Sequence, residues 1–212
     1  MTVTESVQSG FRDPASLTRA LQFLLATLLV ADIANWLSDL AQYQLLQSNH
    51  TEAEATANDA RQNIVGGVYL AIFVVTTITF GVWIHRANKN ARALGAVGME
   101  FTAAWSVGWY FIPIYNLWKP YQAMREIWNA SKSPTQWSSE PTDPILRWWW
   151  FGWVTSIILG QLNFRLSMGG HNVTPLSAVF VVGLISDCLS ISLALVLITR
   201  LSQMQIVQHA GK

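Results

Sequence analysis

The sequence predicts an all-α integral membrane protein: four transmembrane helices, a cytoplasmic-side re-entrant or interfacial aromatic hairpin, and a short amphipathic helix. Three observations carry that reading. Apolar runs of spanning length recur along the 212 residues, and crossing the hydrocarbon core takes about 20 mostly apolar residues. Charged residues make up 12% of the chain against 51% hydrophobic, about half the charged share of a soluble domain. The 11 Trp cluster beside the apolar runs, and indole rings settle at the membrane–water interface.

The first span covers about residues 17–46, with Asp13 placed as N-cap and Pro14 at the first helical position. The second covers 63–86 and continues as helix through HRANKNARALG, where Gly95 is the expected stop. Between them SNHTEAEATANDARQ reads as a polar outer loop. The third span covers 144–165 and starts at Asp143-Pro144; the fourth covers 175–200 and starts at Thr174-Pro175. The leading stretch MTVTESVQSGFRDPAS carries Glu5 and no basic region before the first apolar run. That run is therefore expected to be retained rather than cleaved as a signal peptide. With no internal repeat and no separate soluble domain, residues 1–212 read as a single membrane domain.

Residues 98–118, GMEFTAAWSVGWYFIPIYNLW, form a fifth apolar segment. The distribution of Lys and Arg decides its place, because cytoplasmic loops carry the excess of these residues. If the segment does not cross, eleven of the 13 Lys and Arg share a side and only Arg61 and Arg165 oppose them. If it crosses, the split is six against seven and the bias vanishes. Four spans with both termini in the cytoplasm therefore fit better, and 98–118 enters from that side and returns, or lies along it. Pro113 excludes a regular helix through IPIYN and steers Ile112 towards extended backbone. Pro120 suits the first turn of a new helix, 120–130. There Tyr121, Met124 and Trp128 share one face while Gln122, Arg125, Glu126 and Asn129 take the other, an interfacial amphipathic pattern. Residues 131–143, rich in Pro and Ser, read as a linker without structural period.

The run from Trp83 through HRANKN, Leu94-Gly95, Trp105, Trp109 and PIYNLWKP to EIW resembles the bacterial membrane-protein family catalogued as domain of unknown function 4328. The match is dense from Trp83 to Ser131 and looser over the spans. Thr102-Ala103-Ala104 departs from the turn the family pattern leads one to expect. The resemblance implies a multi-pass protein of the bacterial plasma (inner) membrane and implies no activity.

Ionisable residues inside a span are functional candidates by default. Asp32 lies thirteen residues beyond Arg19, and Asp187 thirteen before Arg200, which puts both carboxyls about 20 Å from a cytoplasmic anchor. Gln161 reaches the same level in the third span, with Asn35 and Ser190 one turn from the two Asp. No span carries Lys or Arg at that depth. Two such carboxyls compose a proton or cation site, or alternatively polar glue between helices. A second group is the basic aromatic cytoplasmic face: Arg86, Lys89, Arg92, Trp109, Asn116, Lys119 and Arg125. It suits anionic lipid headgroups, or simply sets topology.

Other chemistry is largely excluded. Cys188 is the single cysteine, which rules out an internal disulfide and any cysteine-rich metal site. His50, His85, His171 and His209 lack partners at ligand spacing, so neither a metal nor another cofactor is expected. Net charge is only +1, which argues against a nucleic-acid partner. Trp148, Trp149, Trp150 and Trp153 read as an interfacial belt, and Gly66, Gly67, Gly81, Gly152, Gly160 and Gly183 as close helix contacts. The leading expectation is a non-enzymatic component that binds lipid or protein partners, as a monomer or a homo-oligomer. Its alternatives are a small transporter or channel using Asp32 and Asp187, and an enzyme on a lipid-like substrate using Glu100, Asn116 or Glu126.

Overall fold

In a computed structural model of the chain, residues 10–168, 174–175 and 177–211 are described, apart from the side chain of Ser167. Glu5, His171 and Lys212 lie outside the described residues. Among the described residues six α-helices follow in order: α1 (Ala15–Leu46), α2 (Glu52–Ala93), α3 (Trp105–Gly108), α4 (Lys119–Lys132), α5 (Pro144–Met168) and α6 (Ala178–Ala210). Short 3-10 turns occupy Trp109–Phe111, Tyr115–Leu117 and Trp137–Ser139, and no strand occurs among the described residues.

Local chemistry explains where the helices start and stop. Asp13 Oδ1 accepts the Ala15 N–H at 2.8 Å and caps α1. α2 begins earlier than the sequence pattern suggests, inside the expected outer loop. Thr51 and Glu54 form a reciprocal capping box there: Glu54 accepts the Thr51 N–H at 2.8 Å, and Thr51 Oγ1 accepts the Glu54 N–H at 3.3 Å. The far end of α2 closes on Gly95, whose φ of +98° suits only glycine well. The Ala96 N–H reaches back to the Ala91 carbonyl and the Gly95 N–H to that of Arg92, a Schellman closure. Pro120 sits in the first turn of α4, where a missing N–H costs nothing.

Three helices, α1, α2 and α6, are long and apolar enough to cross a membrane. The expected fourth, α5, has the length without the apolarity. Trp148, Trp149, Trp150 and Trp153 occupy its first half and Gln161, Asn163 and Arg165 its second. Indole is an interfacial group rather than a hydrocarbon one, so this helix falls short of the other three.

The chain divides into two compact units. The first draws on the described residues of Met1–Phe23, Thr77–Trp150 and Leu193–Lys212. It is built like a water-soluble core: Leu21, Trp83, Ile84, Leu94, Met124, Ile127, Leu146, Leu197, Ile198 and Leu201 are all nearly or fully sealed from solvent. Trp149 and Trp150, expected in an exposed belt, belong to this core, and only Trp148 of the triplet is exposed.

The second unit, Leu24–Thr76 and Phe151–Ser192, inverts that pattern. Among the described residues its buried aliphatic side chains are few, Leu25 and Leu28, whereas Ser38, Asn58, Thr76, Ser186 and Ser190 are buried polar ones. Its exposed residues include Val30, Leu37, Ile64, Val68, Phe73, Leu162 and Ile185. Apolar outside and polar inside is the arrangement of a protein solvated by hydrocarbon. At Gly152 an added Cβ would lie 3.2 Å from the Ser186 carbonyl, so α5 and α6 approach there as closely as backbones do; Gly66, Gly67 and Gly160 meet nothing.

Candidate functional site

The first unit is organised by the polar residues that follow Trp83 on α2. Trp83 is 1% exposed, and its indole N–H donates to Thr18 Oγ1 at 3.1 Å. Asn88 and Asn90, both fully buried, tie down different neighbours. Asn88 Nδ2 donates to the Phe101 carbonyl at 2.9 Å and to Ser106 Oγ at 3.0 Å. Its Oδ1 accepts from Arg92 Nε at 3.1 Å, and the Arg92 guanidinium also donates to the Met99 and Phe101 carbonyls. A strap of residues 96–106 is thereby clamped onto the end of α2. Asn90 exchanges two hydrogen bonds with the backbone of Arg12 and donates a third to Gln205 Oε1. The Gln205 amide in turn donates to the Ala87 carbonyl and to Ser131 Oγ.

The expected polar face of α4 is divided. Arg125 is exposed, but Glu126 and Asn129 are buried. The strap covers Glu126, which accepts the Phe101 N–H at 3.3 Å. Burial holds its carboxyl above the usual range, opposed by the Phe101 and Glu100 N–H groups and by the Arg92 charge. The linker covers Asn129, which donates to the Glu140 carbonyl. That segment is ordered rather than periodless: Trp137 donates to the Val97 carbonyl at 2.9 Å, and Glu140 pairs with Lys132 at 2.6 Å.

Between the strap and α4 the chain forms an aromatic tip. α3 and a 3-10 turn carry it to Ile112, which is extended as the following proline demands. Ile114 then adopts φ +69°, ψ −55°, and the Tyr115 N–H closes onto the Pro113 carbonyl at 2.8 Å. This is a γ-turn of the rare, strained hand, on a β-branched residue for which positive φ is a genuine outlier. Phe111 and Ile114 are 74% and 69% exposed. Behind them Trp105, Trp109, Tyr115 and Trp118 pack ring to ring at 4.9 to 5.5 Å. The Trp150 indole holds the base of the tip through the Leu117 carbonyl.

These contacts redistribute the basic aromatic face read from the sequence. Arg92 is occupied by the strap. Lys119 pairs with Glu100 at 3.7 Å and lies over the Phe101 and Trp109 rings. Lys119 and Arg125 line a cleft of about 510 Å³ with Glu100, Glu126 and Asn129. Asn116 sits half-buried in the second 3-10 turn and is not among the cleft's lining residues, so the three enzyme candidates do not converge. Arg86 and Lys89 instead line a separate cavity of about 460 Å³ with Arg12 and His85.

In the second unit, Asp32, Asn35 and Asp187 line one cavity of about 110 Å³, room for several waters. Ser156 Oγ donates to Asp187 Oδ1, while the buried Asp32 Oδ2 has no hydrogen-bond partner. Gln161 is exposed and Ser190 packs against Gly152; neither lines the cavity. α5 contributes Ser156, Gly160 and Asn163 instead. Their spacing of four and three marks one helical face, from which Gln161 is rotated by one residue. From Asn35 a polar line continues through Asp39 to Gln62, which also bonds Gln42 and Ser38, where Arg61 joins. Residue spacing gives depth along a helix but not its rotation, which is why Gln161 reads as level with the carboxyls in the sequence while Ser156 and Asn163 are the residues that reach the cavity.

Residues 47–205 match a known family, described as a domain of unknown function (DUF4328). No curated protein and no solved structure matches the chain.

Proposed function

The chain belongs to the family described as a domain of unknown function (DUF4328), and from that premise we propose a non-enzymatic, multi-pass membrane component that engages lipid through the aromatic tip. In this reading α5 serves as a fourth span beside α1, α2 and α6, both termini are cytoplasmic, and the tip enters the headgroup region from that side. The membrane is a bacterial plasma membrane. The observation that carries the proposal is the exposed pair Phe111 and Ile114, held outward by the strained turn at Ile114. Strain of about 1–3 kcal/mol persists only where surrounding structure imposes it, and here the Trp105–Trp118 ring stack does so. Large exposed apolar patches mark membrane or partner contact.

A single-cysteine probe tests it. In a Cys188→Ala background, Ile114→Cys carrying an environment-sensitive fluorophore is reconstituted in vesicles. The expected result is quenching by spin-labelled acyl chains and protection from aqueous iodide. Iodide quenching with indifference to the spin labels would place the tip in water and defeat the reading.

A second reading has its own observation, the cavity shared by Asp32 and Asp187. Two carboxyls, a hydroxyl and amides around a space large enough for water form a proton or monovalent-cation site, and the Asn35–Asp39–Gln62 line extends it along α1. Ion flux into proteoliposomes under an imposed potential decides the matter. Flux is expected to fall at least tenfold in Asp32→Asn and also in Gly160→Leu, which fills open space without touching a carboxyl. Flux equal to that of empty vesicles, or unchanged in both variants, removes this reading.

A further inference from the structure

We infer that the cavity formed by Arg12, His85, Arg86 and Lys89 is a binding site for a phosphate-bearing anion. This site is distinct from the aromatic tip and stands or falls without it. His85, Arg86 and Lys89 lie within a turn and a half of α2 and so share one side of the helix. Arg12 comes from the segment before α1 and is brought to them by Asn90, which accepts its N–H at 3.0 Å and donates to its carbonyl at 2.8 Å. A buried asparagine spent on positioning one arginine backbone is more than topology requires, since a charge that merely orients the chain needs no fixed partner.

Charge gives the second argument. Two other cations of the same unit meet carboxylates, Lys119 at Glu100 and Lys132 at Glu140. Arg12, Arg86 and Lys89 have no carboxylate within ion-pair distance among the described residues, and no acidic residue lines their cavity. Three cations line one space of about 460 Å³, and a bound anion relieves their mutual repulsion. Two guanidinium groups and an ammonium suit a phosphate, which accepts paired N–H donors from each Arg.

The remaining wall sets the source of that phosphate. Val82, 48% exposed, lines the cavity one turn before Arg86, and Ile78, 62% exposed, precedes it by another turn on the same stripe. An apolar stripe running into a basic pocket has the polarity of a phospholipid, while the pocket alone would serve a soluble phosphate.

The test uses the full chain in lipid nanodiscs and follows its thermal unfolding. Phosphatidylglycerol in place of phosphatidylcholine is expected to raise Tm by several degrees, an effect that linkage requires of any ligand bound only to the folded state. Inorganic phosphate is titrated in parallel against chloride at matched ionic strength. Selective stabilisation by phosphatidylglycerol identifies a lipid headgroup; stabilisation by inorganic phosphate in phosphatidylcholine discs identifies a soluble anion. Either effect should drop at least tenfold in apparent affinity in Arg12→Gln/Lys89→Gln, whose side chains are exposed, and persist in Arg147→Gln, an exposed cation outside the cavity lining. No stabilisation by either probe, or equal stabilisation in the double variant, overturns the site.

Discussion

Trp83→Ala is expected to destabilise the protein by about 3–5 kcal/mol, the range for deleting a large aromatic from a packed interior. The side chain is 1% exposed and meets three helices: its indole N–H reaches Thr18 on α1 and Ser202 on α6 from its own place on α2, and it stacks on Phe80 at 5.9 Å. Thr18 and Ser202 hydrogen-bond each other at 2.7 Å, so losing the indole leaves neither hydroxyl orphaned. The cost is therefore almost wholly that of lost packing, which a second variant isolates. Trp83→Phe keeps most of the ring volume and is expected to cost about 1–1.5 kcal/mol, near the limit for a volume-conserving swap. Reversible unfolding in mixed detergent micelles, followed by near-ultraviolet circular dichroism, measures both. Equal losses for Phe and Ala would mean that the indole N–H, not the ring, is the important part.

That residue also shows what a sequence can reveal. Helix positions were legible wherever a local signal was strong. Asp13-Pro14, Gly95 and Pro120 mark boundaries through backbone geometry that their own side chains dictate. The kink at Ile112-Pro113 was legible for the same reason. The start of α2 was equally local, yet its Thr-Glu-Ala-Glu capping box lay inside a polar stretch, and polarity outweighed the cap. What could not be read was burial. Glu126, Asn129, Trp149 and Trp150 look like surface or interfacial residues in one dimension, and only the strap, the linker and neighbouring rings enclose them. The candidate sites divide along the same line. Asp32 and Asp187 were found together because depth along a helix is linear arithmetic. Arg12 joins Arg86 and Lys89 through a hydrogen bond spanning 78 positions, which no periodicity announces.

Asn88→Leu should cost about 3 kcal/mol, because it removes three hydrogen bonds from a fully buried side chain and one of them, from Arg92, is charge-assisted. Its larger effect is local. The strap of residues 96–106 buries only small or isolated apolar groups, Ala96, Met99 and Phe101, so its position depends on the clamp made by Asn88, Arg92 and Glu126. Hydrogen exchange at 99–106 should therefore accelerate by about two orders of magnitude, the equivalent of roughly 3 kcal/mol of local opening. Asn90→Leu provides the contrast, since its bonds run to Arg12 and Gln205. It should loosen residues 10–14 and spare the strap. If both variants speed exchange everywhere alike, the asparagines stabilise the unit as a whole and position nothing in particular. If each loosens its own segment, two polar positions two residues apart on one helix separately hold the strap that leads into the aromatic tip and the arginine that lines the basic cavity. The polar run following Trp83, read as a continuation of the second span, is then the part of the chain that sets both surfaces.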